Sequence, residues 1–463
     1  MIRRVKVAII GAGTAGLTAL KTVSRFTDDF VVIDPGPDGT TSARSGCMPS
    51  KALITAAHEY HKRHFLPELG ISHAHNLHIE SREVMKRIRQ LRERFSQGPV
   101  RAIEKLEERF IRGRACFESA EQIRVGDILI QAEKVIVAVG SSPELSAEWA
   151  SFSGVMTTDQ FFDLEKLPAS LAVIGLGSAG LEIAQALSRL GVQVVAFEQE
   201  DWLGGIYDPD IQYWAREYFS SEYMICSGQS VRVDTEAGGF SVGSGKERYR
   251  VEKVLVTGGR RTALSAMNFA VTGLPMTASG VPIFDPETLQ VGDSGIFIAG
   301  DAGQKEMKMH HAADEGRIAG FNAAGPDGVK RYQRRVPLSI TFTDPQIARF
   351  GLRYDQLNLS ETAIGSADFG FQNRALIMGE HRGLVRLYAD RVSRKLTGGE
   401  MLVPRAEHFA FELATCIHNG MTVDEMVWLP FYHPTMEEGL RSALYNLGEE
   451  LGGVLPEHFL PEI

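Results

Sequence analysis

Short apolar runs rich in β-branched residues alternate with helix-forming stretches along the first two-thirds of the chain. Residues 5–10, 30–33, 171–174 and 192–197 are apolar apart from Lys6 and Gln193, the signature of strands buried on both faces of a parallel sheet. The first and third of these runs lead into glycine clusters, Gly11-Ala12-Gly13-Thr14-Ala15-Gly16 and Gly175-Leu176-Gly177-Ser178-Ala179-Gly180, each followed by a helical stretch. The second and fourth end at Asp34 and Glu198. The pattern predicts two βαβ units. One such glycine cluster is weak evidence, but an offset of 164 residues separates Gly11 from Gly175, Gly16 from Gly180 and Asp34 from Glu198. Two complete copies in register argue for an internal repeat. Three more buried strands are predicted at 135–139, 254–257 and 296–299, ending at Gly140, at Gly258-Gly259-Arg260 and at Gly300-Asp301. From about residue 335 the glycine signals stop, and strand-like stretches at 339–342 and 384–388 precede a helical C-terminus, which reads as an α+β domain of another kind. Residues 83–109 are charged and helix-favouring, and predict a solvated helix pair.

Composition narrows the class. A chain of 463 residues exceeds the size of one core, so about three domains are expected. With 44% hydrophobic and 23% charged residues it is globular rather than disordered. A net charge of −9 without a long basic run excludes nucleic acid and anionic membranes as expected partners. No apolar run approaches the roughly 18 residues of a membrane span. The four cysteines, Cys47, Cys116, Cys226 and Cys416, form neither a disulfide framework nor a metal-binding pair, so a cytoplasmic protein without a metal site is expected.

The repeated unit carries its own chemistry. Its glycines permit a tight turn and close approach of a pyrophosphate to a helix N-terminus, while the acid closing the second strand binds ribose hydroxyls. Gly11, Gly13, Gly16 and Asp34 are thus candidates for one dinucleotide, and Gly175, Gly177, Gly180, Glu198 and Gly259 for a second. Glu198 is followed by Gln199, Glu200 and Asp201, which favours NADH, with NADPH held by a distant arginine as the alternative. Asp301, at the end of a strand beside the first unit, suits the hydroxylated chain of FAD, or else caps the helix that follows. Cys47, in Gly46-Cys47-Met48-Pro49-Ser50-Lys51, precedes a helix that Pro49 can open as first residue. Unpaired N–H groups and Lys51 one turn on favour a thiolate there, against the alternative of an inert buried cysteine, the reading preferred for the other three.

Together these motifs, with AVGSSP, IFIAGD, HHAADEG and Tyr432-His433-Pro434-Thr435 with Glu438, resemble the flavin-dependent pyridine nucleotide-disulphide oxidoreductases across essentially the whole chain, and within them the lipoamide dehydrogenase group. The resemblance implies an α/β protein with two Rossmann-like, three-layer ββα nucleotide-binding domains and a C-terminal α+β dimerisation domain. It places an FAD domain at 1–147 and 272–334, an NAD domain at 148–271 and the dimerisation domain at 335–463. Its cofactors are FAD and NAD(H), and FAD is held by the first glycine set with Asp34, Lys51, Gly140 and Asp301. In the family two cysteines separated by four residues form a disulfide beside the flavin, and the outer one exchanges with substrate. Cys47 matches the flavin-side cysteine, but Ser42 stands at the position of the exchanging one. A hydroxyl forms no disulfide and is a poor nucleophile without an adjacent base, so lipoamide turnover is expected to be impaired.

By the same resemblance Lys51 pairs with Glu182 beside the flavin N5. His433, oriented by Glu438, matches the acid/base dyad that in the homodimer reaches the thiol site of the other subunit. Ala179 stands where the family carries a larger aliphatic residue, and Thr262 where it carries proline. The implied activity is FAD-dependent NADH oxidoreduction, delivered to a small-molecule or protein-bound thiol or disulfide, or to a quinone-like acceptor. Alternatives are a diaphorase, peroxidase-like or mixed-disulfide reductase using Cys47 alone, and a non-catalytic FAD-binding scaffold.

Overall fold

The computed structural model describes residues 2–303 and 307–453. Its first sheet is built on β1 (Ile2–Ile10) and β2 (Phe30–Asp34), which run parallel with Val7, Ala8, Ile9 and Ile10 beside Phe30, Val31, Val32 and Ile33. Among the described residues this sheet has seven strands. On one side of β1 lie β2 and β3 (Phe110–Arg112). On the other, β6 (Ile128–Val137) pairs parallel with both β1 and the Ile296–Ile298 strand, and antiparallel β5 (Gln122–Val125) and β4 (Ala115–Phe117) complete it.

The apolar run Val7–Ile10 that ends β1 follows from burial of both faces. Val7 and Ile9 pack against α1 (Thr14–Val23) and the Met309–Ala324 helix, whereas Ala8 and Ile10 face Leu264, Met267 and Phe269. The two helices approach closely because Gly316 and Gly320 present no side chain: a Cβ at Gly316 would lie 2.2 Å from the Ala15 carbonyl oxygen.

The second unit repeats this plan. Its five described strands, in the order Met224–Ser227, Gln193–Glu198, Ser170–Ile174, Lys253–Val256 and Val155–Thr157, are all parallel. Leu171 and Val173 pack under the Ser178–Arg189 helix, while Ala172 and Ile174 face an antiparallel ribbon carrying Val233, Phe240 and Val251. A third, fully antiparallel sheet runs Leu338–Thr341, Gln346–Gly351, Leu396–Val403, Leu384–Asp390, Thr362–Asp368. Phe409 and Leu413 of the Ala406–His418 helix and Leu440, Leu444 and Leu447 of the Glu438–Glu450 helix pack against it.

Two expectations need correction. The helix pair expected at 83–109 is one α-helix, α4 (Ser81–Glu104), which continues through Pro99 and is followed only by a short 3-10 turn at Glu107–Arg109. Met85 and Ile88 anchor its first half on Leu53 and Ala57, and Ile103 buries its last turn in the first domain's core, so packing outweighs the local helix breaker. The helix at the thiol segment, α3 (Cys47–His61), begins two residues earlier than expected, with Pro49 as its third residue. That position is still tolerated, since N–H groups of a first helical turn have no intrahelical acceptor.

Candidate functional site

The three glycines of each cluster do different work. Gly11 has φ +104°, and a Cβ there would lie 2.2 Å from the Ala138 carbonyl oxygen; at Gly16 it would lie 1.8 Å from the Gly11 carbonyl oxygen. At Gly13 it would meet nothing within 4 Å. The second copy behaves alike: Gly175 (φ +95°) and Gly180 are walled in by backbone, and Gly177 faces open space. Two glycines per turn are required by the protein itself, while the middle one leaves room for something else to approach the backbone.

The closing acids also hold the turns. Asp34 accepts from the Ala12 N–H at 2.7 Å and the Gly36 N–H at 2.7 Å, and Glu198 accepts from Leu176 N at 2.5 Å and Gln199 N at 2.9 Å.

Gly13 opens onto two cavities. One, of about 570 Å³, runs along Asp34, Thr41, Arg44 and Gly140. The other, of about 200 Å³, is lined by Ser42, Cys47, Arg260, Asp301 and Met307. Both border Thr41 and Gly140 as well as Gly13, so they adjoin one another as a single trough. A dinucleotide fits this shape, with the open glycine at its middle. Gly140 (φ +69°) likewise has nothing within 4 Å of a Cβ position, and Gly259 (φ +74°) turns the chain where its carbonyl accepts from the Glu144 N–H at 3.1 Å.

Asp301 lies in the Gly300–Gly303 turn, where Oδ2 accepts from the Ser141 hydroxyl at 2.6 Å; Ser141 in turn receives Arg260 Nε at 2.8 Å. It does not cap the next helix, whose N-cap position is Lys308.

Cys47 is exposed at the start of α3, and Ser42 sits in the four-residue helix α2 (Thr41–Arg44), capped by the Thr40 side chain. A tight turn holds the two together: Gly46 N–H donates to the Thr41 carbonyl at 2.8 Å, and a Cβ at Gly46 would lie 3.3 Å from Ser42 Cα.

One turn along α3, Lys51 Nζ reaches both oxygens of Glu182, at 2.9 and 2.8 Å. The carboxylate is 3% exposed and is further held by the Ser50 hydroxyl at 3.2 Å and the Phe342 N–H at 2.8 Å, while the Phe342 ring lies 4.4 Å from Lys51 Nζ. Residues on one stripe of the Ser178–Arg189 helix are all tied to the 341–344 segment: Ser178 to Thr341, Glu182 to Phe342, and Gln185 and Arg189 to Asp344. Burial raises the Asp344 carboxyl, but the His58 hydrogen bond and the Arg382 and Arg189 guanidiniums outweigh it and hold the group well below the usual carboxylate range.

His433 is exposed, and its Nδ1 lies 2.9 and 3.1 Å from the two oxygens of Glu438, which also accepts from Thr435 N. The His433 hydrogen bond lowers the Glu438 pKa. Within one chain His433 borders neither cavity at Gly13, so the dyad and Cys47 are not brought together. Of the remaining cysteines only Cys416 is buried, and burial raises its thiol to about 11; Cys116 and Cys226 are half-buried, not interior as expected.

Sequence reasoning missed Ser50, Ser141, Arg44 and Phe342. Phe342 lies 160 positions from Glu182, and no local pattern signals that contact. Among the described residues no helix is long and apolar enough to cross a membrane, and no group of three or more His, Cys, Asp or Glu side chains is arranged to hold a metal ion.

Residues 5–316 match the family described as pyridine nucleotide-disulphide oxidoreductase, and residues 337–444 match the dimerisation domain of that family. A dihydrolipoyl dehydrogenase of Bacillus subtilis is 28% identical over 452 residues, covering 95% of this chain and 98% of its own. A mercuric reductase of Acidithiobacillus ferrooxidans is 28% identical, covering 94% of this chain and 81% of its own. In fold, the chain is similar to LpdA of Mycobacterium tuberculosis, with TM-score 0.83, 23% identity and coverage of 96% and 99% of the two chains. It is similarly close to the HOCl-induced flavoprotein disulfide reductase RclA of Escherichia coli in its Cu(II) complex, with TM-score 0.83, 20% identity and coverage of 96% and 99%.

Proposed function

The chain belongs to the pyridine nucleotide-disulphide oxidoreductases, flavoenzymes that use FAD and NAD(H), and on that premise we propose that it oxidises NADH while its thiol half-reaction is altered by Ser42. Bound FAD supplies the two-electron acceptor for the nicotinamide hydride. The Gly11–Gly16 turn with Asp34, Gly140 and Asp301 holds that group, and the Gly175–Gly180 turn with Glu198 and Gly259 holds NAD(H). Lys51 lies one turn of α3 beyond Cys47, which lines the trough, and carries a fixed positive charge there. Glu182, tethered by Ser50 and Phe342, keeps the ammonium in place, so no reorganisation is needed when negative charge develops nearby.

Cys47 is the thiol nearest this site, and Ser42 shares its cavity. A serine cannot close a disulfide with Cys47, so electrons leave either through a mixed disulfide on Cys47 or directly to a quinone-like acceptor. His433 and Glu438 act on the thiol site of a partner protomer: the exposed imidazole, with Nδ1 held by the carboxylate, presents Nε2 for proton transfer. The observation that carries this reading is the intact Lys51–Glu182 pair next to a thiol segment that lacks its second sulfur.

Anaerobic addition of NADH to the purified protein tests it. Rapid bleaching of the long-wavelength flavin band is the expected result; an unchanged spectrum would replace the enzyme with a non-catalytic scaffold.

A further inference from the structure

We propose that Arg44 is a charged ligand of the FAD pyrophosphate and that its engagement couples dinucleotide occupancy to the turn carrying Ser42 and Cys47. The proposal rests on FAD filling the trough at Gly13. Arg44 ends α2, three positions after Thr41, and both side chains line the cavity that Gly13 opens onto. Its Nε is shut off from solvent with no hydrogen-bond partner among the described residues, and so is the hydroxyl of the adjacent Ser45, a residue only 5% exposed. Two neighbouring buried donors left unpaired are rare in folded proteins and mark a place where another molecule completes the set.

The charges around the cavity point the same way. Arg92 is committed to Asp163 and the Phe162 carbonyl, and Arg260 to Ser141. Both oxygens of Asp34 receive backbone N–H groups, and among the described residues no carboxylate forms an ion pair with Arg44. Among the described residues Arg114 also lacks a partner, but it is exposed. Arg44 is therefore the cation whose donor is buried and unanswered, on the wall that also holds the one glycine of the turn with room beside it. A guanidinium is the side chain best matched to a phosphate, to which it donates through two parallel N–H groups.

The mechanical consequence follows from the shortness of α2. Its four residues carry Ser42 between Thr41 and Arg44, and the Gly46 N–H to Thr41 carbonyl bond staples it to α3. An anion held by Arg44 pins this turn, and with it the backbone leading to Cys47.

The test follows FAD release from purified holoprotein, as recovery of flavin fluorescence on dilution at low and high salt, with ADP and FMN as competitors. Arg44→Gln should weaken FAD retention about tenfold or more, the range for a hydrogen bond to a charged group. It should also flatten the salt dependence and weaken competition by ADP, while leaving FMN, which lacks the pyrophosphate, unaffected. Arg44→Lys should recover part of the loss, and Arg114→Gln should change release less than about twofold. Alkylation of Cys47 by iodoacetamide should be slowed by FAD in the wild type and less so in Arg44→Gln. Unchanged FAD release in Arg44→Gln, or equal weakening of FMN and FAD, overturns the proposal. A wild-type protein that takes up no FAD overturns the underlying function instead.

Discussion

Alanine placed at each glycine of the first turn should separate folding from cofactor binding. At Gly13 the backbone has φ −78° and ψ −165°, which any residue adopts, and a Cβ meets nothing within 4 Å. Two small terms act on stability. Replacing glycine removes freedom from the unfolded chain and stabilises by about 0.4–1 kcal/mol, while alanine is a poorer helix N-cap than glycine by a similar amount. Gly13→Ala should therefore melt within about 3 °C of the wild-type apoprotein, given roughly 2–4 °C per kcal/mol for domains of this size.

Gly16→Ala differs because its methyl would sit 1.8 Å from the Gly11 carbonyl oxygen, a backbone atom that cannot rotate away. Overpacking of that kind costs about 1–3 kcal/mol or more, so a fall of roughly 5–10 °C is expected. Both variants should lose FAD, Gly13→Ala without losing its fold. The assay is circular dichroism melting of apoprotein together with flavin absorbance per mole of purified chain. Gly177→Ala should keep FAD and lose reduction by NADH. A Gly13→Ala protein that is as yellow as wild type, or a Gly16→Ala protein that melts with it, would refute the division of labour among the glycines.

Other outcomes follow from the same geometry. Ser42→Cys should restore lipoamide reduction, because it supplies the missing sulfur in a turn already closed on Gly46; normal flavin reduction without lipoamide activity would show the substrate class to be wrong. Differential alkylation at pH 8 followed by mass spectrometry should modify exposed Cys47 and spare Cys416, whose thiol burial raises to about 11. Asp344 is ionised in the folded protein to a lower pH than in the unfolded chain, so its contribution is complete above the unfolded value of about 3.9 and is lost as pH falls below it. Asp344→Asn should lower the melting temperature at pH 7 and flatten its decline below about pH 4; an unchanged acid profile would remove Asp344 from the account.

The two nucleotide units were legible because their requirements are local. A βαβ turn needs its glycines and closing acid at set intervals whatever surrounds it, and the offset of 164 residues exposed the repeat without reference to any contact. Buried strands likewise announce themselves as short, largely apolar runs. Helix boundaries were less legible: α4 runs through Pro99 because burial of Met85, Ile88 and Ile103 outweighs the propensity of one residue.

Residue types marked Cys47 and Lys51 as chemistry and the family resemblance added Glu182, but neither showed what holds them. The grip of Ser50 and Phe342 on Glu182, the commitment of Asp34 and Glu198 to their own turns, and the buried unpaired donor of Arg44 depend on chain segments tens to hundreds of positions apart. A hydrogen bond forms wherever folding brings a donor to an acceptor, and that pairing leaves no periodic trace along the chain.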